Sequence, residues 1–179
     1  MFKLDKEVTR IHPVKKRLAA TVAVIVVVWA IYTVYQHLPV TIDKAFPAIE
    51  YLEGDPSSAA KTFITIKGTL SKPLFRKHKF NGRLVIEHYD FTKTHDIVDM
   101  KFKGLNDNQT LLVYTAVSKD GSPDLILFGY IEQANNFEHL YISRNPMLDM
   151  GEKAGMMHHI AGPANDFETA ASISSSFSK

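Results

Sequence analysis

The chain has 179 residues, no cysteine and a formal net charge of +2. That length holds one domain of ordinary size beside a short extra segment, and the lack of cysteine removes disulfides and thiol nucleophiles. The charge is unevenly spread: the first 38 residues carry 6 Lys/Arg against 2 Asp/Glu, the remainder 15 against 17, so the larger part lacks the basic bias of a nucleic-acid binder.

Residues 1–17 form a basic segment with Lys3, Lys6, Arg10, Lys15, Lys16 and Arg17. From Leu18 to Leu38 there is no Lys, Arg, Asp or Glu, and valine and isoleucine dominate every face. About 20 such residues in a helix cover the ~30 Å hydrocarbon core of a bilayer. A cleavable signal has an apolar core of ~7–15 residues followed by small residues. Here the run is longer and closes on Tyr32, Tyr35, Gln36 and His37, which suits an uncleaved anchor with tyrosines at the interface. Basic flanks stay in the cytoplasm, so residues 1–17 are expected inside and the C-terminal portion outside a plasma membrane crossed once.

Residues 39–61 contain Pro47, Gly54, Pro56, Ser57 and Ser58 and read as a stalk with one short helical piece. Strand patterns begin at Thr62. In 62–70, Ile64, Ile66 and Leu70 share one face and Thr65, Lys67 and Thr69 the other. The turn Asn81-Gly82 introduces a strand over 83–89, with Leu84 and Ile86 inward. Val98, Met100 and Phe102 alternate with charged residues over 97–103. Further strands are expected over 110–117, 125–131 and 137–143. Short links join antiparallel neighbours, so 97–143 is predicted to be a four-stranded meander. Leu125–Ile131 is apolar on both faces and reads as a central, covered strand. Met156–Ala161 offers one more strand. After Pro163, Asn165 with Glu168 suggests a capping box, and Phe167, Ala170, Ala171, Ser174 and Phe177 fall on one helical face.

The expected fold is therefore α+β. A transmembrane helix (18–38) and a linker (39–61) precede an antiparallel sheet domain (62–179) of six or seven strands covered by a C-terminal helix. A β-sandwich or small barrel is the alternative.

Chemical signals are sparse. No G-x-S-x-G, Gly-rich phosphate loop or H-E-x-x-H occurs, and no cofactor is expected. A metal would need His88, His95, His139, His158 and His159 brought together by folding, since His158 and His159 as strand neighbours point to opposite faces. Asp90, Asp96 and Asp99 with His88 and His95 make the one neighbourhood rich in both acids and histidines. Arg76-Lys77-His78-Lys79 between Phe75 and Phe80 is the densest charge outside the span, either a contact for anionic polymers or a solvated loop whose phenylalanines serve the core.

The run 66–87, "IKGTLSKPLFRKHKFNGRLVIE", and 161–170, "AGPANDFETA", resemble small single-pass membrane proteins of Gram-positive, Bacillus-like bacteria. The resemblance covers about a fifth of the chain and implies a membrane setting but no activity. The expected function is a non-catalytic, membrane-anchored extracytoplasmic module that binds an unknown protein or envelope partner. The alternative is an envelope-associated, metal-dependent hydrolase with a histidine/carboxylate pocket.

Overall fold

The computed structural model describes residues 13–73, 76–102, 109–118, 120–145 and 157–177. The chain divides into two compact units, 1–38 and 39–179.

The first unit contains helix α1, Pro13–Gln36. Its stretch Arg17–Tyr35 is long and apolar enough to cross a membrane. Thr21 and Thr33 turn their hydroxyls onto the carbonyls of Arg17 and Trp29, at 3.0 and 2.8 Å. Hydroxyls bound back to the preceding turn are satisfied without water, which a hydrocarbon surrounding requires.

The second unit is built from β1 Val40–Leu52, β2 Asp55–Ser71, β3 His78–Ile86, the one-turn helix α2 Phe91–Thr94, β4 Asp96–Ile97, β5 Met100–Phe102, β6 Gln109–Val117, β7 Pro123–Ala134, β8 His139–Arg144, β9 His158–Gly162 and helix α3 Phe167–Phe177. Among the described residues, all nine strands join one antiparallel sheet in the order β4-β6-β7-β8-β9-β1-β2-β3-β5. Its two edge strands are consecutive in the chain, with only Val98 and Asp99 between them. The sheet must therefore curl until its edges nearly meet. Arg83 on β3 reaches Asp96 on β4 at 3.2 Å, and Asn81 on β3 donates to Asp99 at 2.6 Å. The result is almost a barrel, the alternative architecture, with more strands than the six or seven expected.

Over β1 to β3 the interior follows the alternation of the strands. Ile42, Phe46 and Ala48 from β1, Ile64, Ile66 and Leu70 from β2, and Leu84 and Ile86 from β3 all point inward. Each of the isoleucine, leucine and phenylalanine side chains among them contributes about 1.5–3 kcal/mol on burial. Tyr114 lies wholly inside and donates its hydroxyl to the Leu84 carbonyl at 3.0 Å. One end of the barrel is closed by Phe137, in the β7–β8 hairpin, which packs on Phe80 and Phe102. The outer surface of β1 and β9 is covered by α3, through Ile49, Tyr51, Ala161, Ala164, Ala170 and Ile173.

Four expectations are corrected. The segment 39–61 is no stalk: it holds β1 and the start of β2, because Ile42, Phe46, Ala48 and Leu52 keep the core phase and Pro47 is tolerated within that run. The expected strand 97–103 is split. Ile97 pairs with Tyr114 on β6 while Met100 pairs with Phe80 on β3, so closure of the sheet replaces a four-stranded meander. Strand β7 is central in the order but uncovered outside. A bulge at Phe128 shifts its phase, so Phe128 and Ile131 both point inward while Leu125, Leu127 and Tyr130 face out. Gly129 allows this, since a Cβ there would stand 2.1 Å from the Ser143 carbonyl oxygen. Finally, α3 is capped by Asp166, whose Oδ1 accepts from the Thr169 amide at 2.8 Å, one residue beyond Asn165.

Candidate functional site

The end of the barrel opposite Phe137 is closed by a polar group. Glu50, Arg144 and His158 occupy inward positions at the ends of β1, β8 and β9, in phase with Ala48, Ile142 and Ile160. The chain turns after β3 to add His88 and Tyr89. All converge on the Glu50 carboxylate. Tyr89 donates its hydroxyl to Oε1, His158 Nδ1 lies 3.3 Å and Arg144 Nε 3.7 Å from the same oxygen, and His88 Nδ1 lies 3.1 Å from Oε2. The guanidinium also lies over the Tyr89 ring, 5.3 Å from its centroid. A pocket of about 200 Å³ lined by Glu50, Leu52, Ser58, Ala60 and His158 opens beside it. Both carboxylate oxygens face donors, so Glu50 ties four parts of the chain together and is poorly placed as a base.

The five histidines scatter. His88 and His158 meet at Glu50. His95 sits beyond α2, with Nε2 3.3 Å from Asp124. His139 opens β8 and is exposed. His159 lies outside the barrel, beneath α3. Among the described residues no group of three His, Asp or Glu side chains is arranged to hold a metal ion. The acids of the 88–99 neighbourhood are spread among ion pairs: Asp90 with Lys93 at 2.6 Å, Asp96 with Arg83 at 3.2 Å, and Asp99 with Lys79 at 2.5 Å. These partners hold Asp90 and Asp99 below the usual carboxylate range, chiefly through the hydrogen bonds from Lys93 and Lys79. Phe80 belongs to the core and Arg76 and Lys77 are exposed, as a solvated loop requires, while Phe75 lies outside the described residues.

Around His159 a second, outward site forms. Tyr141 stacks on its ring at 5.5 Å and Tyr51 lies at 5.4 Å. The Tyr141 hydroxyl is 2.7 Å from His159 Nδ1, the Tyr51 hydroxyl 2.7 Å from Ser174 Oγ, and Glu53 4.0 Å from His159 Nε2. A pocket of about 320 Å³ lies among Tyr51, Glu53, Tyr141, His159, Ser174 and Ser175. Burial depresses His159 below the ordinary imidazole range, so it is neutral near pH 7; the same cause pushes Tyr141 up to about 12.

The third feature is a strip on the outer face of β6 and β7. Leu111 pairs with Tyr130, Val113 with Leu127 and Thr115 with Leu125 across the two strands. Leu111, Val117, Leu125, Leu127 and Tyr130 are between 45% and 78% exposed. Beside it, Leu127, Gly129, Tyr130, Asn145 and Met157 line a largely apolar pocket of about 260 Å³.

No family model, curated protein or solved structure matches this chain. Glu50, Tyr89 and Arg144 escape sequence reading because Glu50 lies in the apparent stalk and Arg144 ends a strand. The usable signal was parity: each charged residue stands at a core-phase position.

Proposed function

We propose that this protein is a membrane-anchored, non-catalytic binding module of the cell envelope, held by α1, with residues 39–179 outside the cytoplasm. The observation that carries this reading is the exposed apolar strip on β6 and β7. Contiguous apolar surface on one sheet face is costly in water and marks a contact surface. Leu111 stands opposite Tyr130 and Val113 opposite Leu127, so these side chains form one continuous face. The partner is a protein or envelope component that presents apolar surface of its own. The basic flank of α1 supports the orientation through the preference of Lys and Arg for the cytoplasmic side. The hydrolase alternative gains no support, since His95 and His139 stand apart from Glu50.

A photo-crosslinking residue at Leu127 tests the reading in native membranes, against the same residue at Lys67 on another face. A discrete adduct is expected at 127, weakened by Leu125→Ser, and none at 67. Equal, diffuse labelling at both positions refutes the strip as a docking surface.

A further inference from the structure

We propose that the occupant of the β6–β7 strip is a second copy of this chain, docked face to face about a two-fold axis that crosses the strands near Leu127. The inference rests on the reading of the strip as a contact surface and names its partner.

The composition of the face selects the occupant. Its rows are Leu111/Tyr130, Val113/Leu127, Thr115/Leu125 and Val117/Pro123, with no charged residue in any of them. Val98, 44% exposed, carries the face toward the sheet edge, where its amide donates to the Val113 carbonyl at 2.9 Å. The acid beside that edge, Asp96, already lies 3.2 Å from Arg83. A charged or strongly polar partner would shed water against this surface, with only the Thr115 and Tyr130 hydroxyls to replace it. The same face of a second copy is equally apolar and equally free of charge. Two such faces meet without like-charge repulsion.

Shape points the same way. Leu125 stands out from β7 on one side of Leu127, and on the other lies the hollow of about 260 Å³ lined by Leu127, Gly129, Tyr130 and Met157. Leu125 and Gly129 are each two residues from Leu127. A two-fold axis there brings Leu125 of each copy to the hollow of the other, the reciprocity of an isologous contact. Area sets the strength. Leu111, Val117, Leu125, Leu127 and Tyr130, with Val98, present roughly 550 Å² per copy, so pairing buries about 1,100 Å², near the lower limit for a specific contact. A pair of that size dissociates readily in dilute solution. Two copies anchored in one membrane share a high effective concentration, which favours pairing there.

The test uses the full chain in native membranes, produced together in two forms. One carries a photo-crosslinking residue at Leu127 and a first epitope tag. The other carries a second tag and no crosslinker. Irradiation should give an adduct of twice the chain's mass that bears both tags. Leu125→Lys in the second form alone should reduce that adduct at least about tenfold, because the lysine would carry its charge into an apolar contact. Val117→Lys, also at an exposed position of the strip, is a second, separate probe. Lys67→Glu in the same form, on another face, should leave the adduct unchanged. An adduct of another mass without the second tag overturns the second copy as occupant and leaves the strip a contact surface. A doubly tagged adduct that survives both lysine substitutions overturns the face-to-face arrangement. The absence of any discrete adduct overturns this inference together with the reading it rests on.

Discussion

Replacing Phe137 should separate packing from backbone strain at one residue. Its side chain is wholly buried, 4.8 Å from the Phe80 ring and 6.0 Å from Phe102. Its backbone is left-handed, with φ 63°, and its amide donates to Gln133 Oε1 at 3.0 Å. Removing a buried phenylalanine ring costs about 3–5 kcal/mol. A left-handed conformation costs a residue with a Cβ roughly 1–2 kcal/mol, and glycine almost nothing. Phe137→Ala loses the ring and keeps the strain; Phe137→Gly loses both. Glycine is ordinarily worse than alanine by about 0.5–1 kcal/mol, but here the order should invert, with the glycine variant the more stable by about 1 kcal/mol. Urea unfolding of the full chain in maltoside micelles, followed by circular dichroism in the strand region, measures both. An alanine variant as stable as the glycine variant refutes the strain argument. A loss below about 1 kcal/mol in both refutes Phe137 as the plug of the barrel.

Glu50→Ala takes a carboxylate from beside the buried Arg144 and should cost about 3–5 kcal/mol; Glu50→Leu with Arg144→Met should recover most of it in the same unfolding assay. Gly129→Ala drives a methyl toward the Ser143 carbonyl oxygen and should destabilise by about 1–3 kcal/mol, whereas Gly121→Ala meets open space and should cost only the left-handed backbone strain of about 1–2 kcal/mol. His159 has a folded-state pKa below its unfolded value of about 6.5, so between the two the unfolded chain binds more protons. Its contribution is complete above pH 6.5 and is lost as pH falls through the folded pKa. The unfolding midpoint should drop with acid across that window, and His159→Gln should flatten the slope.

Much of the fold was legible because a strand states its facing through parity. Ile64, Ile66, Leu84, Ile86, Met100 and Phe102 stand inward as alternation requires, and α3 buries Ala170 and packs Phe167 and Phe177 as helical spacing requires. Val98 does not follow its neighbours, because the chain leaves one sheet edge there and joins the other. Such closure is a long-range event without a local sign. Prolines and serines made 39–61 look like a linker although Ile42, Phe46 and Ala48 already kept core phase. The bulge at Phe128 hid the strip on β7 by making an exposed face look like a covered one. At the sites, His158 and His159 part to opposite faces as expected. Their partners lie far away in sequence: Glu50 is 39 residues from Tyr89, and Tyr51 is 123 from Ser174.

Single-cysteine labelling tests the central claim, a domain outside the membrane whose β6–β7 strip is occupied by a partner. The chain has no native cysteine, so each introduced thiol reports alone. Leu125 and Lys67 are both well exposed in the isolated protein. Leu125→Cys and Lys67→Cys are exposed to a membrane-impermeant maleimide, first on intact cells and then as purified protein in detergent. On cells, the thiol at 67 should label readily and the thiol at 125 several-fold more slowly; after purification the two rates should converge. Equal labelling on cells would contradict an occupied strip, and labelling of neither until the membrane is opened would contradict the orientation.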